Sequence, residues 1–193
     1  MNINYKIIID KILHELIPIT EKSVENGNKI FGALILNKKD YSTITIDTNN
    51  EIINPLFHGE ISTINSFFKK NLSINPTDCF FVSSHEPCSL CLSAITWCGF
   101  DNFIYLFPYE STENKFNIPH DLKILKEVFN INNGHYNRKN YYWKSYSIFN
   151  EISELNYYDK EIIDNNILKI KEKYQNLSNL YQKNKKNNKI PLN

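Results

Sequence analysis

A chain of 193 residues is the size of one domain on the usual scale of roughly 100–200 residues. Its 41% apolar and 13% aromatic residues are enough to close a core and exclude disorder of the whole chain. A formal net charge of +1 gives no overall field for a polyanion, so a small substrate is expected rather than a broad nucleic-acid groove.

From the N-terminal end, Ile8, Ile9, Ile12, Leu13, Leu16 and Ile17 recur at helical spacing, and residues 3–25 read as an amphipathic helix ending near Gly27. The apolar run Ile7-Ile8-Ile9 is broken by Asp10 and Lys11, unlike a signal peptide, and no stretch approaches the ~20 apolar residues of a membrane span. A cytoplasmic protein is expected. Residues 30–36 and 42–47 read as a hairpin of two strands turning at 37–40. A helix over 58–70 buries Ile61, Ile64, Phe67 and Phe68, with His58 in its first turn.

Cys79-Phe80-Phe81-Val82 reads as a buried strand, and Pro87 suits the first position of a helix over 88–98. Residues 102–107 form another strand, stopped by Pro108. The alternation predicts an α/β fold, a three-layer α/β/α sandwich on a mixed sheet of about five strands. Leu122, Ile124, Leu125, Val128 and Phe129 mark a further helix. Then come an aromatic cluster (Tyr136, Tyr141, Tyr142, Trp143, Tyr146), a long polar helix from about Tyr158 to Asn184, and a basic end, Lys183 to Lys189, expected to fray. Residues 1–130 are assigned to a core and 131–193 to a C-terminal helical extension packed on the same domain.

The four cysteines, Cys79, Cys88, Cys91 and Cys98, include a C-x-x-C pair, which in an intracellular protein favours metal or redox chemistry over a disulfide framework. His58-Gly59-Glu60 is followed, thirty positions after the histidine, by Pro87-Cys88-Ser89-Leu90-Cys91, the pattern H-x-E…P-C-x-x-C. One imidazole and two thiolates leave the fourth tetrahedral position of Zn²⁺ open, as a catalytic site requires. Cys88 and Cys91, spaced i, i+3, project from one helix face, and helix starts at both motifs favour thiolates and a bound anion. Zinc lowers the pKa of water from ~15.7 to roughly 7, about 12 kcal/mol in favour of hydroxide. Glu60 then stands beside the water as the group that moves its protons.

An isolated C-x-x-C is commonly a redox pair or half of a structural zinc knuckle, and an isolated H-x-E carries almost no information. A four-cysteine structural site fails on geometry, because Cys98 lies seven residues beyond Cys91, about 10 Å along a helix. Cys79 and Cys98 are read as small buried residues, and His14, His85, His120 and His135 as non-ligands, with His85 close to the site.

At these motifs the chain resembles the cytidine and nucleobase deaminase superfamily over about residues 31–107. Glu86-Pro87-Cys88 to Trp97 and Phe31-Gly32-Ala33 are similar to bacterial guanine deaminases, whereas His58-Gly59-Glu60-Ile61-Ser62-Thr63 is similar to fungal cytosine deaminases. The resemblance implies zinc at His58, Cys88 and Cys91, Glu60 as the catalytic acid and base, and a homodimer. It also implies base contacts from Asn49, with Asn50 as reserve, and from the Gly59 N–H. Trp97 and Tyr141-Tyr142-Trp143 are candidates to stack on the base, with core aromatics as the alternative. The implied activity is deamination of a free nucleobase or nucleoside, with a guanine-like purine favoured over cytosine. Editing of adenosine in transfer RNA and a non-catalytic zinc-stabilised binding module are the alternatives.

Overall fold

The computed structural model describes residues 3–70, 72–153 and 157–193, with the side chains of 157–159 excepted. Five strands form one mixed sheet in the order β2-β1-β3-β4-β5. They are β1 (Gly32–Asn37), β2 (Thr43–Thr48), β3 (Cys79–His85), β4 (Asn102–Phe107) and β5 (Lys144–Ser147). β1 is antiparallel to both β2 and β3, and β3, β4 and β5 run parallel.

The strand period of two divides the apolar residues between two faces. Leu34, Leu36, Phe80, Val82, Ile104 and Leu106 pack on one side, and Ala33, Ile35, Phe81, Phe103 and Tyr105 on the other. Burial on both faces is why β3 and β4 are near-continuous apolar runs.

The first face is covered by an N-terminal helical run and by α8 (Tyr157–Asn184), which contributes Ile163, Ile167, Ile170, Tyr174, Leu177 and Tyr181. The N-terminal run is not one regular helix as the periodicity suggests. It comprises α1 (Tyr5–Lys11), a π-helical stretch (Ile12–Leu16) and α2 (Ile17–Glu25). Pro18 has no N–H to give the carbonyl of His14, and its ring crowds that carbonyl, so the turn before it widens.

The second face carries α3 (Gly59–Lys69) and α4 (Ser89–Trp97) through Ile64, Phe67 and Ile95. This is the expected three-layer α/β/α sandwich. Shorter helices α5 (Tyr109–Asn114), α6 (His120–Phe129) and α7 (Ile148–Ile152) join the later elements. Among the described residues no helix is long and apolar enough to cross a membrane.

The basic end departs from the fraying its composition suggests. Asn188 Nδ2 donates to the Gly27 carbonyl at 2.9 Å, Tyr181 Oη donates to Asn193 Oδ1 at 2.8 Å, and Ile190 is buried. One apolar side chain and two hydrogen bonds outweigh the repulsion of neighbouring lysines in exposed positions.

Candidate metal centre and active site

His58 and Cys88 occupy equivalent places in two strand-to-helix connections. Each is the cap residue of its helix, with extended backbone (His58 φ −64°, ψ 160°; Cys88 φ −66°, ψ 172°) immediately before α3 and α4 respectively. Pro87 therefore stands one residue outside α4, not at its first position. Cys91 lies in the first turn of α4, so its sulfur swings back to 3.6 Å from that of Cys88.

His58 Nδ1 lies 3.4 Å from Cys88 Sγ and 3.7 Å from Cys91 Sγ. Donors so separated form one face of a tetrahedron with bonds of ~2.1–2.3 Å, and a borderline-soft imidazole and thiolate set suits zinc. Among the described residues this is the one group of three or more histidine, cysteine or carboxylate side chains gathered closely enough to hold a metal.

A hydrogen bond from the Cys91 thiol, opposed by burial, and the neighbouring His58 hold Cys88 well below the ordinary thiol range. Burial, with Cys88 and Glu60 adding to it, holds Cys91 well above that range. Burial works against a charged imidazole at His58, but the Cys88 sulfur outweighs it and pushes His58 up to about 9. The lowered Cys88 and raised His58 are two sides of one sulfur–imidazole pairing, the interaction that a metal ion held by the same atoms would replace.

Glu60 is 4% exposed. Its Oε1 accepts from Ser83 Oγ at 2.8 Å, and its Oε2 lies 3.3 Å from Cys91 Sγ. Burial, followed by the charge of Cys88, raises its pKa. Two cavities share His58 and Cys88 in their walls. A small one of about 10 Å³ is lined by Glu60, His58, Cys88, His85 and Asp121, among others. A larger one of about 250 Å³ opens past His58 and Cys88 toward Lys29, Glu51, Asp121 and Leu192.

The other residues marked in the sequence fall differently. Asn49 is 1% exposed, and both ends of its amide are engaged: Oδ1 accepts the Gly59 N–H at 2.5 Å, and Nδ2 donates to Glu51 Oε2 at 2.7 Å. The two expected base contacts, Asn49 and the Gly59 N–H, are therefore bonded to each other. They tie down the turn that carries His58. Gly59 has a packing cause: a Cβ there would lie 2.6 Å from Gly32 Cα and 2.9 Å from Gly32 N, so α3 can meet the start of β1 only through glycine.

Trp97 ends α4, is 90% exposed and lines neither cavity. The structure does not bring it to the site. Tyr141 and Tyr142 are exposed as well, whereas Trp143 is a core aromatic whose Nε1 donates to Thr96 Oγ1 at 2.8 Å. His85 stands outside the group of three gathered donors. Its ring is enclosed by Phe31, Phe107, Phe116 and Tyr174, and burial pushes its pKa down to about 3.

Sequence reasoning missed the carboxylates around the motif. Glu86 Oε1 accepts from Arg138 Nη2 at 2.7 Å and from Tyr136 Oη at 2.8 Å, which fastens the segment beside β5 to the residue before Pro87. Half-buried Asp121 lines both cavities, and burial holds its carboxyl well above the usual range. Glu86 stood beside the motif and could have been questioned as a buried charge. Asp121 gave no local signal.

This fold and site coincide with a known family. Residues 8–107, just over half of the chain, match the cytidine and deoxycytidylate deaminase zinc-binding region, and the chain belongs to that family. Its zinc-binding site is the one gathered at His58, Cys88 and Cys91. No curated protein matches significantly.

Among solved structures, the guanine deaminase of Bacillus subtilis is 27% identical, with 52% of this chain and 64% of that one covered at a TM-score of 0.45. The chain thus spans less than two thirds of that protein. A tRNA:A34 deaminase is 18% identical over 68% of this chain and 92% of that one, with a TM-score of 0.47. The guanine deaminase of Nitrosomonas europaea is 13% identical, covers 85% of this chain and 82% of that one, and has a TM-score of 0.52, a likeness of fold.

Proposed function

We propose that the protein is a zinc-dependent hydrolytic deaminase that replaces the exocyclic amino group of a free nucleobase or nucleoside with a carbonyl oxygen and releases ammonia. The observation that carries this reading is the position of Glu60, a buried carboxylate with one oxygen held by Ser83 and the other beside a metal-binding sulfur, lining the small cavity that shares His58 and Cys88 with the larger one. His58, Cys88 and Cys91 would hold zinc, which would supply the Lewis acidity that activates water at neutral pH.

Glu60 Oε2 is placed to take the proton of the attacking water, pass it to the ring nitrogen next to the reacting carbon, and deliver a proton to the departing ammonia. A raised pKa suits a group that must both accept and return a proton. Ser83 fixes the other oxygen, so the carboxylate need not turn between these transfers.

The larger cavity, about 250 Å³, falls just below the roughly 300–1,000 Å³ of typical small-molecule pockets and suits one heterocycle with a modest substituent. A purine such as guanine is favoured. The cysteine motif resembles that of guanine deaminases, and Gly59, the residue that pointed to a pyrimidine, is accounted for by its contact with Gly32. Asp121 offers the cavity a carboxyl able to pair with the N–H groups of a base. The homodimer implied by the resemblance belongs to the same reading, and sedimentation tests it.

Zinc-loaded protein incubated with guanine, cytosine, adenine and their nucleosides is expected to release ammonia fastest from guanine. Silence across the panel would overturn the reading. Inosine formation in transfer RNA, with salt-sensitive binding, would move the substrate class to nucleic acid.

A further inference from the structure

Glu51 lies in the connection from β2 to α3, seven residues before His58, and is 3% exposed. A buried carboxylate costs several kcal/mol unless it is paired and hydrogen-bonded, so its partners indicate its role. Glu51 Oε2 accepts from Asn49 Nδ2 at 2.7 Å, and Oε1 accepts from Lys29 Nζ at 2.8 Å. The same Oε1 stands 3.7 Å from His58 Nε2, about half an ångström beyond a hydrogen bond. The opposite ring nitrogen, Nδ1, faces the sulfurs of Cys88 and Cys91.

An imidazole that binds a metal through Nδ1 carries its hydrogen on Nε2, and in metal sites that second N–H is usually donated to a carboxylate or carbonyl that sets tautomer and ring orientation. We propose that Glu51 is the positioning residue for His58. It holds the ring in the tautomer whose Nδ1 faces the sulfurs. It also joins that ring, through Asn49, to the Gly59 N–H at the start of α3 and, through buried Lys29, to the segment before β1. The proposal rests on the reading of His58, Cys88 and Cys91 as the zinc ligands.

The competing explanation is that Glu51 serves only to neutralise Lys29, and a double substitution separates the two. Zinc affinity of the full chain would be measured by competition with a chromophoric chelator for the wild type, Glu51→Gln and Glu51→Gln/Lys29→Gln, with thermal unfolding of the zinc-free proteins as a control for folding. Both variants are expected to bind zinc 10–100-fold more weakly than the wild type. If Glu51→Gln fails to fold because Lys29 is left unpaired, the double variant, which buries no lone charge, decides the matter.

A double variant that binds zinc within two-fold of wild type would overturn the proposal. His58→Ala is the separate control on the ligands. If it keeps wild-type zinc affinity, the ligand assignment itself fails. If it loses zinc while the Glu51 variants do not, the ligands stand and only the role of Glu51 is wrong.

Discussion

The residues around the larger cavity come from two sources. His58 and Cys88 belong to short motifs at the starts of α3 and α4, whereas Lys29, Glu51, Asp121 and Leu192 come from four separate stretches brought together by the sheet and its covering helices. In the first set a helix start and an i, i+3 spacing fix the geometry within a few residues. In the second, placement depends on the whole fold: Lys29 meets Glu51 across 22 positions, and Leu192 arrives only because Asn188 and Ile190 are anchored. The metal-binding geometry is therefore written locally, and the rest of the cavity wall is written at long range.

This contrast can be broken most forcefully at Glu60. Glu60→Gln keeps the shape and the Ser83 contact but cannot carry a proton, and turnover is expected to fall by ~10²–10⁴-fold with zinc content unchanged, as checked by steady-state kinetics and metal analysis. Loss of zinc in that variant would mean that Glu60 belongs to the ligands.

A smaller effect is expected at Gly59, where the sequence resemblance pointed to a substrate and the structure points to packing. Gly59→Ala drives a Cβ into the backbone of Gly32 and is expected to destabilise the protein by ~1–3 kcal/mol in denaturant unfolding, without changing the order of substrate preference. A change of preferred base would restore Gly59 as a selectivity residue. The smallest effect is at Trp97. Trp97→Ala, at a 90% exposed position outside both cavities, is expected to leave stability within ~0.5 kcal/mol and KM unchanged. A large rise in KM would put Trp97 back at the substrate.

Much of the fold was legible because β3 and β4 are apolar on both faces and because the apolar residues of α3 keep helical spacing. β5 was not. It is four residues long, Lys-Ser-Tyr-Ser, and its strand character comes from pairing with β4. The π-helical stretch was hidden for a different reason. Apolar spacing reports which face is buried, and Ile12, Leu13 and Leu16 remain buried whether the turn is α or π.

In the site, His58, Glu60, Cys88 and Cys91 were legible as residue types at fixed spacing. Asn49 was singled out as a base contact, and one sequence does not reveal that its amide bonds Gly59 and Glu51. Carboxylates such as Glu51 and Asp121 look like any surface charge until the fold buries them.

The most direct test combines metal content with turnover. Protein purified without added metal would be assayed for zinc by mass spectrometry and for ammonia release from guanine before chelation, after chelation and after zinc is returned, with Cys88→Ser alongside. One zinc per chain is expected, with activity lost on chelation and restored by zinc, and with Cys88→Ser deficient in both. Full ammonia release from the stripped protein, or wild-type zinc binding by Cys88→Ser, would contradict a zinc deaminase built on His58, Cys88 and Cys91.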